Sequence, residues 1–228
     1  MQEATLLLTC AVLLAAGLWL RWRVASRREP GCWLTPWFVL LALAGLFDAL
    51  SLAAGGGTVG SAAFSSSLLL ELGASYLLFL FSRSFSHPTD FRAFFWSVPL
   101  QFTAALVLGG GEALLYRGQG LWSLDPKEPA SLVVLAVATL YALLVLAHMV
   151  GLYGSLREEG GRSSKVAVLA LAFLMVLSGG GVRNALAGHF PPVLYAGAAL
   201  RLAGTGLLVA SLKGVPAREV EEALEGRR

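Results

Sequence analysis

Four ionisable side chains interrupt otherwise apolar stretches of this chain: Asp48, Glu71, Arg183 and Arg201. A charge inside a hydrocarbon layer is costly, so such residues face the interior of a bundle and meet each other, a proton or a ligand. At a rise of about 1.5 Å per residue, Glu71 lies roughly 15 Å into its stretch and Arg201 about as far into its own, near the midplane. Asp48 and Arg183 both fall in the outer third of their spans. Matching by depth therefore predicts two interior pairs, Glu71 with Arg201 and Asp48 with Arg183. Gly197, Arg201 and Gly204 fall at i, i+4 and i+7, so the arginine shares a helix face with residues that permit close approach. Ser67, Glu71 and Ser75 form a second polar stripe, and Tyr76, Asn184 and Gln101 are placed to extend a polar lining. Two kinds of chemistry fit this set. The charges form structural salt bridges that fix the helix arrangement, or they line a central polar site that holds a ligand. For Arg183, reaching back to the nearer interface competes with pairing.

Other chemistry is missing. No lysine occurs within an apolar stretch, which excludes a retinal Schiff base. His87, His148 and His189 fall in different segments, so no two have the spacing of haem or metal ligands. Cys10 and Cys32 read as two apolar thiols, because a disulfide between them is misplaced in depth. No GxSxG, HExxH, P-loop or dinucleotide fingerprint occurs. Catalytic residues, metal ligands and cofactors are accordingly not predicted.

The elements that must position the charges are membrane-spanning helices. The chain has 228 residues, of which 57% are hydrophobic and 14% charged, too little charge to cover a water-soluble domain. Runs long enough to cross a hydrocarbon core of roughly 30 Å occur at about 4–20, 33–54, 61–82, 93–111, 130–153, 166–188 and 192–212. The expected fold is an all-α integral membrane bundle of seven transmembrane helices, one domain over 1–215, with a short charged tail over 216–228. Glu3 precedes the first run and the arginines follow it, which predicts a retained first helix rather than a cleaved leader.

Basic residues set the direction. Arg21, Arg23, Arg27, Arg28, Arg83, Arg92, Arg157, Arg162, Lys165, Lys213, Arg218, Arg227 and Arg228 fall on one side, against Arg117 and Lys127 on the other. The positive-inside rule then places the N-terminus outside and the C-terminus in the cytoplasm. The net charge of +3 is explained by this segregation, without a nucleic-acid partner. Trp19, Trp22, Trp33, Trp37 and Trp96 read as interfacial anchors at the cytoplasmic ends. Glycine triplets at 55–57, 109–111 and 179–181 lie toward the outer side, as a flexible rim around a cavity or as helix ends and close packing.

Several of these features together resemble the seven-helix N-terminal sensor region of bacterial histidine kinases and diguanylate cyclases. They are the arginine cluster after the first helix, the aromatic-rich LLFLFSRSF closing the third, and a long outer loop containing GQGLW. The resemblance implies a sensor or accessory module in the bacterial inner membrane, signalling to a cytoplasmic partner or acting as a homo-oligomer. No kinase or cyclase sequence follows, which departs from that pattern and points to a stand-alone module.

Three functions are open at this level. The first is recognition of a small or lipid-like ligand within the bundle. The second is a transporter or channel component using Glu71 and Arg201, although no inverted repeat is visible in the charged positions. The third is an intramembrane enzyme acting on lipid.

Overall fold

The structure, a computed structural model, describes residues 2–23, 31–85, 95–158 and 163–213. Arg27, Arg28, Arg92, Arg162, Arg218, Arg227, Arg228, His87 and the tail from 216 lie outside the described residues. The helices are α1 (Gln2–Arg23), α2 (Gly31–Ala54), α3 (Thr58–Ser84), α4 (Val98–Gly110), α5 (Pro129–Glu158), α6 (Ser163–Leu186) and α7 (Pro192–Lys213). All except α4 are long and apolar enough to cross a membrane. Large apolar side chains stand on their outward faces, among them Leu8, Leu18, Leu108 and Leu143. Such surfaces are stable only in lipid, and helices satisfy every backbone polar group there without water. The chain is a helical, membrane-embedded protein.

Local sequence fixes where the helices stop. Gly55 (φ 66°) and Gly57 (φ 106°) take the left-handed conformations that turn α2 directly into α3. Within the fourth apolar run, expected over 93–111, α4 starts at Val98, and a proline occupies its first turn. It gives way at Gly111 to a short 3₁₀ turn, Gly111–Leu114. At about 1.5 Å per residue its 13 residues reach only about 20 Å.

The helices close on themselves. Along the chain α1 packs on α2, α2 on α3, α5 on α6 and α6 on α7; α7 returns to α1, and α3 touches α5 and α6. The short α4 lies against α3 and α5. One end of the bundle is filled by a large aromatic core containing Trp37, Phe38, Phe79, Tyr141 and Phe173. Trp37 is fully buried, with ring centroids 4.7 Å from Phe38 and 5.6 Å from Phe173. The interfacial role expected for this tryptophan is therefore wrong. Its face of α2 points into the bundle, where aromatic packing outweighs the headgroup preference of an indole.

The opposite end carries the one departure from an all-α architecture among the described residues. The connection expected to be a long outer loop contains a β-hairpin, β1 (Leu115–Gly118) and β2 (Leu121–Leu124), paired from Leu115↔Leu124 to Gly118↔Leu121. Its two-residue turn is Gln119–Gly120, with φ 52° and 82°. Positive φ at both positions is what a tight turn needs to match the twist of the two strands.

Candidate functional site: a buried charge cluster beneath the hairpin

The four predicted charges meet. Asp48 comes from α2, Glu71 from the centre of α3, Arg183 from the last turn of α6 and Arg201 from the middle of α7. Each is at least nine-tenths buried. Arg183 Nη1 pairs with Asp48 Oδ2, and Arg201 Nη2 pairs with Glu71 Oε1. Arg183 Nη2 also lies 3.7 Å from Glu71 Oε1. The order in space is thus acid, base, acid, base, and every charge has an opposite neighbour. Low dielectric strengthens each contact, but stripping the ions of water costs several kcal/mol apiece, so the arrangement holds only because the pairs are complete.

Asn184 fills the gap between the pairs. Its side-chain carbonyl accepts from Arg183 Nε at 3.2 Å and from Nη2 at 2.5 Å, while its amide donates to Glu71 Oε2 at 2.5 Å. The guanidinium of Arg183 also lies 5.9 Å from the centre of the Phe64 ring. That contact adds a cation–π attraction suited to a desolvated arginine.

Glycine makes the room. A Cβ on Gly180 would fall 2.9 Å from Glu71 Oε2 and against the Arg201 guanidinium. A Cβ on Gly179 would fall 3.0 Å from Arg201 Cγ, and one on Gly197 2.6 Å from the Gly179 carbonyl. The third glycine triplet is therefore the seam along which α6 and α7 approach. Gly204 continues it, where a Cβ would meet the Ala172 carbonyl at 2.7 Å.

The remaining residues expected in a polar lining divide. Ser75 is buried, but its hydroxyl donates to the Glu71 carbonyl at 2.9 Å, within its own helix. Ser67 is completely buried, and its hydroxyl has no partner. Tyr76 belongs to the aromatic core, 5.8 Å from Tyr141 and 6.3 Å from Phe79. Gln101 is not part of the lining: it is exposed on α4 and donates to Ser97 Oγ at 3.0 Å. The short α4 sits outside the ring of charged helices, so its polar residues cannot reach the cluster. Cys10 is a buried free thiol whose Sγ packs on Gly45. His148 bonds back to the Leu144 carbonyl at 2.7 Å and stands edge-on to Phe79.

The hairpin closes the cluster from its near end. Trp122 Nε1 donates to the Gly55 carbonyl at 3.2 Å, and the Arg117 guanidinium lies over the Trp122 ring and against Gly56. Leu121 packs with Leu6, Ala49, Ala187 and Leu194. Leu114 and Leu124 pack with Phe64, Leu68 and Val107. On the α6 side Gly118 meets the Gly188 carbonyl, and Tyr116 stacks flat on His189 at 4.2 Å. Between hairpin and cluster remains a cavity of about 20 Å³, walled by Asp48, Ser51, Trp122 and Arg183 and by apolar residues including Leu6 and Leu194. Sequence reading missed Ser51, Phe64 and Trp122, since nothing in a linear pattern places a loop tryptophan over α2. Compared with protein families, curated proteins and solved structures, the chain has no significant match in any of the three.

Proposed function

We propose that this protein is a receptor-like sensor or accessory module of the bacterial inner membrane, with a small ligand site at the hairpin end of the bundle. The hairpin faces outward and the C-terminus faces the cytoplasm, with α4 and its 3₁₀ extension counted as the seventh crossing. The observation that carries this reading is the position of Asp48. It is the terminal member of the charge cluster, and it borders the cavity under the hairpin. Everything deeper is packed: Arg201 Nη2 pairs with Glu71, and Asn184 and Gly180 fill the space around them. A group held at Asp48 acts directly on Arg183, which touches both acids and belongs to a different helix from either. Binding is thereby coupled to how α2, α3, α6 and α7 sit together. A bundle of this kind passes its state to a cytoplasmic partner or to a second copy of itself.

A transporter reading draws on the same alternating charges, but the cluster is sealed toward the aromatic end by side chains such as Leu78, Phe79 and Tyr141. The deciding experiment uses purified protein in liposomes and in lipid nanodiscs. Saturable thermal stabilisation by a membrane-soluble amphiphile, without proton, ion or solute flux, is the expected result. Flux above that of empty liposomes, abolished by Glu71→Gln or Arg201→Gln, overturns the sensor reading in favour of transport.

A further inference from the structure

We infer that the cavity beside Asp48 is the head-group site for an uncharged, hydroxyl-bearing amphiphile, an alcohol rather than an acid or an amine. The inference rests on the ligand-binding reading above and names the class of ligand.

Three observations carry it. The first is the supply of hydrogen-bonding atoms. Both carboxylate oxygens of Asp48 are buried and accept no hydrogen bond beyond the ion contact with Arg183. Ser51 also borders the cavity, but its hydroxyl proton is already given to the Gly60 carbonyl at 2.9 Å, which leaves its oxygen as an acceptor. Trp122 Nε1 is likewise committed, to Gly55. Apart from Arg183, whose guanidinium already faces Asp48, Glu71 and Asn184, the polar wall offers acceptors and asks for a donor. Buried acceptors left without a donor are costly, so a group that supplies one gains specificity as well as affinity.

The second observation is charge. Asp48 and Glu71 cancel Arg183 and Arg201, so the cluster is neutral as it stands. A carboxylate or a protonated amine would leave one uncompensated charge in the low-dielectric interior, which a membrane protein avoids. A hydroxyl donates to Asp48 without disturbing that balance. The third is size and surroundings. About 20 Å³ admits one group of the size of water, too little for a carboxylate, phosphate or sugar. The rest of the wall is apolar, with Leu6 from α1 and Leu194 from α7 in contact through one cluster. These two helices are neighbours, and an alkyl tail would reach lipid along their seam by parting Leu6 from Leu194.

The test compares 1-decanol, decanoate and decylamine on the full chain in phosphatidylcholine nanodiscs at neutral pH, reading the apparent Tm against amphiphile concentration. Ala187→Leu fills the cavity while leaving all four charges in place, and Leu52→Phe fills it from α2 should the first variant not fold. The expected result is a saturable rise in Tm with 1-decanol alone, its midpoint moved at least tenfold in the filled variant. Equal responses to all three amphiphiles, or a decanol response unchanged by filling, overturn the inference. So does the absence of any saturable response to alcohol, which leaves a resident water as the donor to Asp48. A saturable response to decanoate or decylamine that filling abolishes overturns the alcohol assignment but keeps the ligand-binding reading. Flux in liposomes removes both.

Discussion

At the scale of single residues, the chain shows how four charges are kept in a membrane interior. Each arginine answers a carboxylate, and Asn184 separates the two pairs while bonding to both. Removing one member leaves its partner buried and alone, the costly half of a broken ion pair. Glu71→Gln and Arg201→Gln are each expected to destabilise the protein by about 3 kcal/mol or more, measured by unfolding in detergent. The double variant is expected to recover much of that loss, since neither side chain then carries a charge. Both pairings could be matched from depth alone, because ions at equal depth on facing helices have nowhere else to turn. Asn184 was visible only as a polar neighbour. Its bridging role depends on α6 presenting consecutive residues 183 and 184 to two different acids, which no periodicity announces. Gln101 misled for a related reason: a polar residue in an apolar run says nothing about which side of the bundle its helix occupies.

At the scale of elements, glycine and the hairpin decide the geometry. Gly180 and Gly181 are adjacent in α6, yet a Cβ on the first meets the Glu71–Arg201 pair and one on the second meets open space. Gly180→Ala is expected to cost about 1–3 kcal/mol through overpacking. Gly181→Ala is expected to stay within about 0.5 kcal/mol of the parent. Thermal unfolding of the two variants side by side separates packing from helix propensity, because both exchange the same residues. The hairpin offers a second test. Gln119 holds a positive φ that a side chain resists, so Gln119→Gly is expected to keep or tighten the turn. Gly188→Ala, by contrast, drives a methyl group into Ser123 and Tyr116 and is expected to loosen the hairpin. Faster amide hydrogen exchange across residues 115–124, with α2 and α3 unchanged, is the signature of that loosening. The helices were legible because lipid demands long apolar runs. The hairpin was not, since its turn is Gln-Gly rather than the commoner Asn-Gly or Asp-Gly, and its strands have four residues each.

At the scale of the whole molecule, the six long apolar helices among the described residues place the chain in a membrane, and the direction proposed for it is open to direct measurement. A membrane-impermeant maleimide is expected to label Gln119→Cys in intact cells and Ser155→Cys only after lysis, in a background where Cys10 and Cys32 are serine. The reverse pattern inverts the proposed orientation. The apolar runs told where the long helices lie, but not that α4 would stand outside the ring and give way to a 3₁₀ turn at Gly111. One consequence of the charge cluster reaches beyond packing, to the electric field across the membrane. Because its four charges sum to zero, moving the cluster as a body transfers no net charge through that field. If Arg183 exchanged Asp48 for Glu71, its positive end would travel a distance of the order of the 3.7 Å that separates it from the second acid. A full crossing of one charge is worth about 2.3 kcal/mol per 100 mV, so a step of about one-eighth of the hydrocarbon core is worth roughly 0.3 kcal/mol, below thermal energy. The bundle can therefore change partners in its core while staying nearly indifferent to membrane potential, and respond to chemistry at the hairpin end regardless of how energised the cell is.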